Sequence, residues 1–155
     1  GGIGHAMFGG ALAGEIGSKA LNEGDLSTYR LWEFNFRYMR ENGARNAKLD
    51  VFRIFLQMIG NDEINFGMRE RLIDERSLGT LEIERIGERP LREKIKKVLR
   101  ALKRPSLLGK LIQVRKTMNE VKELYENYPD SPEGFERWKS AANNIFNRYI
   151  SSLKK

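Results

Sequence analysis

Apolar residues recur along this chain at steps of three and four, interrupted by glycine, proline and asparagine, as in a string of amphipathic helices. The first helix is expected over about residues 3–22, carried by Ile3, Met7, Leu12, Ala13, Ile16, Ala20 and Leu21, with Gly24 as its stop. Asp25 or Ser27 then opens a strongly aromatic segment over residues 26–42, with Leu31, Trp32, Phe34, Phe36 and Tyr38. Asn42-Gly43 breaks or bends it, and residues 44–59 resume with a wide apolar face of Val51, Phe52, Phe55, Leu56 and Ile59. After Gly60-Asn61, Asp62 is the expected N-cap of a short helix to about Asp74, with Phe66, Met68, Leu72 and Ile73 as its buried residues.

Residues 77–88 alternate in part like a strand, but their helical surroundings favour a helix. Pro90 heads residues 91–103, where Ile95, Val98, Leu99 and Leu102 oppose a basic side that includes Arg92, Lys96 and Arg100. Pro105 separates this segment from residues 106–127, which keep the helical period. Tyr128-Pro129-Asp130 is a stop, after which Ser131, Pro132 and Glu133 supply an N-cap, a first-turn proline and an acid. The last helix runs to about Leu153 with Phe135, Trp138, Ala142, Ile145, Phe146, Tyr149 and Ile150 inward. The expected fold class is mainly α.

The glycines of the first helix are its most specific feature. Each costs about 1 kcal/mol against alanine in a helix interior, so their density needs a reason. Ala6, Gly10 and Gly14 recur every fourth residue with Gly17 three further on, leaving one edge almost bare of side chains, where another backbone can come close. Close packing inside the fold is the ordinary explanation of such an edge. Gly1-Gly2 would in addition leave free N–H groups at the positive end of the helix dipole, where an electron-rich ligand can sit.

The run from Gly1 to Glu15 resembles the late FAD motif of the geranylgeranyl reductase family, G-G-G-I-x-x-A-M-x-S-G-x-x-A-A-E, with Gly1, Gly2, Ile3, Ala6, Met7, Gly10, Ala13 and Glu15 falling on it. Gly9 stands where the family usually has serine and Gly14 where it usually has alanine, both small-for-small changes. The resemblance implies that Gly1, Gly2, Ile3 and Gly4 bind cofactor, their backbone amides facing the N1 and C2 carbonyl edge of the FAD ring, whose negative charge on reduction the helix dipole favours. It also implies a helical C-terminal portion of a flavoprotein. Residues 1–24 would then be a flavin-contacting helix that ends an FAD-binding domain, and residues 25–155 a helical C-terminal domain. No strand, G-x-G-x-x-G turn and helix for the ADP part of FAD occurs in these residues, so an upstream FAD-binding domain is an expected partner. The implied substrate is a prenyl lipid whose isoprenoid double bonds are saturated, and residues 44–74 would be natural walls for its hydrocarbon.

Composition narrows the chemistry. Cysteine is absent and His5 is the single histidine, which excludes thiolate and multi-histidine metal sites, and no metal is expected. His5 could deliver a proton near neutral pH, but the family position is variable and no catalytic residue is assigned. Acidic pairs such as Asp62 with Glu63 have spacings common on solvated helices and are assigned nothing. No apolar run reaches the roughly 18 residues of a membrane span, so a soluble or peripheral protein is expected, compatible with a reducing cytoplasm.

The net charge of +7 suits an anionic membrane surface or nucleic acid without choosing between them. No zinc spacing or RNA-recognition motif supports nucleic acid, and none is expected as a partner. The alternative to a reductase part is a stand-alone basic helical module that binds a membrane surface or nucleic acid.

Overall fold

The computed structural model describes residues 2–73 and 102–154, and every element among them is helical, with no strand. They form α1 (Gly2–Glu23), α2 (Thr28–Tyr38), a π-helical turn (Met39–Gly43), α3 (Ala44–Met58), α4 (Asn61–Arg69), α5 (Pro105–Glu126), a 3₁₀ turn (Pro132–Gly134) and α6 (Phe135–Leu153). The chain divides into two compact units, Gly1–Ala47 with Glu120–Ile145 and Lys48–Asn119 with Phe146–Lys155. The expected helices at residues 77–88 and 91–103 lie outside the described residues, apart from the last two positions.

In the first unit α1 buries Leu12, Ile16 and Ala20, four residues apart on one face. Gly24 takes φ +71°, and the amides of Gly24 and Asp25 donate to the carbonyls of Leu21 (3.1 Å) and Ala20 (3.0 Å). A left-handed residue closing the orphan carbonyls in this way is why glycine ends the helix. Ser27 caps α2: its Oγ accepts from the Arg30 amide at 3.2 Å, and the Asp25 carboxylate accepts from the Ser27 amide at 2.9 Å. Both residues proposed from sequence to start this helix therefore contribute.

Of the aromatic stripe of α2 only Trp32 is buried, while Phe34, Phe36 and Tyr38 are half-buried and Leu31 is exposed. Trp32 is buried, stacks on Tyr128 (5.9 Å between centroids) and meets Phe135 edge-on (5.7 Å). Its Nε1–H donates to the Pro129 carbonyl at 2.9 Å, and that of Trp138 donates to the Leu124 carbonyl at 3.0 Å. Both indoles thus satisfy their polar edge on backbone while stacking on one aromatic cluster. Asn42-Gly43 does not break the helix. The chain passes from α2 through a π-helical turn directly into α3.

In the second unit Val51, Phe52 and Phe55 of α3 and Ile59 just after it are buried as expected, and Leu56 is half-buried. Tyr149 of α6 is buried and its hydroxyl donates to the Val51 carbonyl at 3.0 Å. Asp62 is not the N-cap of α4. Gly60 holds that position in extended conformation, and Asp62 sits in the first turn, where its charge still meets the positive helix end. The helix stops at Arg69 because Gly67 lies under Ile73, whose Cδ1 would be 2.8 Å from a Cβ there. The chain turns back through Arg71 at φ +56° to make that contact. Met68, expected to be buried, is exposed.

Pro105 opens α5, the first-turn position in which its missing N–H costs nothing. Ser131 makes no side-chain cap. The proline after it starts a 3₁₀ turn, and the Pro129 ring fills the space beside Gly134 before α6 begins.

Candidate functional site

The start of α1 carries the residues singled out in the sequence. Gly1 lies outside the described residues. Gly2, Ile3 and Gly4 form the first turn of the helix, all three exposed, with no acidic side chain in that turn. First-turn amides have no acceptor within their own helix, and here the dipole end is not neutralised by a neighbouring acid. No atom lies within 4 Å of where a Cβ on Gly2 or Gly4 would be, so a flat ligand could approach this backbone closely. His5 is half-buried and, seven and eleven residues before Leu12 and Ile16, lies on the core side of the helix.

The small-residue edge does not pack against the described residues. Gly10, Gly14 and Gly17 have nothing within 4 Å of their Cβ positions, whereas Gly9, on the other side, meets the Tyr38 ring at 3.4 Å. The expectation of close packing inside the fold is thus not realised among the described residues. Three exposed apolar side chains share the open edge: Ile3 (80% exposed), Met7 (71%) and Leu21 (67%). With the glycines they form the series 3, 7, 10, 14, 17, 21, an alternation of four and three that keeps one face of a helix. The edge therefore has a shallow glycine centre between apolar ends. The spacing of small residues alone does not reveal these apolar flanks; the four-three spacing of Ile3, Met7 and Leu21 with the glycines is the signal that does.

Glu15, another residue of the motif, is engaged within the unit. Arg37 of α2 donates to its carboxylate at 3.0 and 3.4 Å and Lys19 at 2.8 Å. The Arg37 guanidinium, then the Lys19 ammonium, hold the Glu15 carboxyl down at about 2. Its place is to tie α2 to α1 on the side away from the glycine edge.

One open cavity of about 570 Å³ lies beside the π-helical turn, lined by Phe36, Arg37, Arg40, Glu41, Glu126 and Asn127. Its charges are mixed, and the Arg40 guanidinium covers the Phe36 ring at 5.0 Å. Among the described residues no group of His, Asp and Glu is placed to hold a metal ion, and no helix is long and apolar enough to cross a membrane.

No family model matches the chain. The chain is similar to part of the geranylgeranyl reductase family. The relative concerned is a digeranylgeranylglycerophospholipid reductase of Sulfolobus acidocaldarius, 41% identical over 155 residues that make up 99% of this chain and 34% of the relative. The chain thus spans about a third of the length of that protein. The match does not favour the alternative of a stand-alone basic module.

Proposed function

We propose that this chain is the helical C-terminal portion of an FAD-dependent oxidoreductase that saturates isoprenoid double bonds of a geranylgeranyl membrane lipid. The observation that carries this reading is the 41% identity, sustained over nearly the whole chain, to a reductase named for such a lipid. The open edge of α1 supports it independently. A soluble fold seldom leaves an apolar stripe on a glycine-rich helix facing water, and here the longer protein offers something to cover it. In this reading residues 1–24 end the FAD-binding domain, and Ile3, Met7 and Leu21 seat α1 against it with Gly10, Gly14 and Gly17 at the point of closest approach.

The residues present fit the flavin. The amides of Gly2, Ile3 and Gly4 have no acceptor within their own helix at its positive end, no acid stands in that turn, and no atom lies near the Cβ positions of Gly2 and Gly4. The chemistry the group would supply is hydride transfer to the double bond from flavin first reduced by an external electron donor, with a proton completing the saturation. This chain's part is to orient the ring through backbone donors and to favour its reduced, more negative form through the helix dipole. No side chain of α1 is assigned a proton transfer. The membrane origin of the substrate calls for peripheral contact with a bilayer from the cytoplasmic side.

The test is to join the chain to the nucleotide-binding part expected upstream of it and follow flavin absorbance. The joined protein is expected to turn yellow and its reduced flavin to be reoxidised by a geranylgeranyl lipid, while the chain alone stays colourless. A joined protein that binds no FAD would overturn the proposal.

A further inference from the structure

The charge of this chain is unevenly distributed. Among the described residues the second unit carries eleven Lys and Arg against four Asp and Glu, whereas the first carries eight against eleven. Much of the excess comes from one stretch. From Lys94 to Asn119 the sequence has nine basic residues and not one acid. Its described part is the second-unit portion of α5 with the three residues before it.

Burial fixes the outward face of that helix. Leu107, Val114, Thr117 and Met118 are buried, and Lys110 is drawn inward to Glu63 of α4 at 2.8 Å. The opposite side presents Gly109, Ile112, Arg115, Lys116 and Asn119, all exposed. Ile112 is 60% exposed at its centre, with Arg115 and Lys116 one turn on and half-buried Leu108 one turn back. Just before the helix, Leu102 is 54% exposed beside Lys103 and Arg104. Arg104 shares the Phe66 ring with Arg69, at 5.1 and 5.8 Å. Arg115 and Lys116 have no ion pair among the described residues.

From this arrangement we infer that the outer face of α5 as far as Lys116, with Leu102, Lys103 and Arg104 just before it, is a docking surface for an anionic lipid bilayer. Lysine and arginine without intervening acids attract a negatively charged surface, and exposed aliphatic side chains among them can enter the interfacial layer. Nucleic acid fits less well, because this face offers aliphatic rather than aromatic side chains and so nothing for bases to stack on. The inference deepens the membrane contact of the proposed function by naming its surface, but its evidence lies in this chain's own charge and exposure.

The test is co-sedimentation of the full chain with phosphatidylcholine vesicles containing 30% phosphatidylglycerol, beside pure phosphatidylcholine vesicles and a single-stranded RNA oligomer. Binding is expected to the anionic vesicles alone and to fade between 50 and 500 mM salt. Arg115→Glu with Lys116→Glu should weaken it about tenfold or more. Arg45→Glu with Arg137→Glu, the same charge change at exposed sites of the first unit, should weaken it much less. Circular dichroism checks that both variants keep their helices. Equal losses from the two pairs, equal binding to uncharged vesicles, RNA binding without vesicle binding, or no binding at all would each overturn the inference. None of these outcomes involves flavin, so the docking surface can fail while the reductase reading stands, and the reverse.

Discussion

The ring of Tyr125 occupies the place beside Gly43 that a side chain would need. A Cβ there would lie 2.6 Å from Tyr125 Cδ1, 3.1 Å from Cε1 and 3.2 Å from Met39 Sδ. Tyr125 cannot easily retreat, because Trp138 packs edge-on against it at 4.9 Å. Gly43→Ala should therefore destabilise the chain by about 1–3 kcal/mol, overpacking outweighing the roughly 1 kcal/mol that alanine gains in a helix. Urea unfolding monitored by circular dichroism measures this, and a midpoint at or above that of the wild type would contradict the close approach.

Gly10 and Gly14 should behave in the opposite way. Their Cβ positions are open, so Gly10→Ala and Gly14→Ala should each stabilise the isolated chain by about 0.5–1 kcal/mol. Leucine at the same positions should leave the isolated chain helical but block assembly with the nucleotide-binding part, which size-exclusion chromatography of the two pieces would register. Unimpaired assembly of Gly14→Leu would show that this edge is not the contact.

The Glu15 pair gives a pH signature. Arg37 and Lys19 hold the Glu15 carboxyl at about 2, below its ordinary 4.5. A depressed carboxyl stabilises the fold above the unfolded value and loses that contribution as pH falls from about 4.5 towards 2. The carboxylate is solvent-exposed, so the effect is modest. Glu15→Gln should flatten the acid limb of a stability profile between pH 5 and 2, with little change in its slope above pH 6.

Tyr149 should show the converse at high pH. Burial pushes its phenol above the ordinary 10.0, and its hydroxyl donates to the Val51 carbonyl. A raised acid of this kind contributes stability fully below pH 10 and loses it as the unfolded chain ionises above that value. Tyr149→Phe removes the bond at a cost of about 0.5–1.5 kcal/mol and should reduce the alkaline decline, as read by thermal melting between pH 8 and 11.

Among the described residues the sequence by itself determined the helices and many of their ends, because those depend on local chemistry. Gly24 can take a left-handed conformation, Ser27 and Asp25 can cap, Pro105 can lead a helix, and the period of Val51, Phe52 and Phe55 marks a buried face. It also determined the resemblance carried by residues 1–15, since a motif is a local pattern. What only the tertiary structure decided is which features meet a partner. Asn42-Gly43 lies in a π-helical turn against which Tyr125, eighty-two residues away, packs, and past the end of α4 Ile73 folds back onto Gly67. The glycines of α1 likewise divide into Gly9, whose Cβ position meets Tyr38, and Gly10, Gly14 and Gly17, whose Cβ positions are open. Spacing places a residue on a face of its helix, but whether that face is covered depends on contacts between distant segments, and only the folded chain contains those.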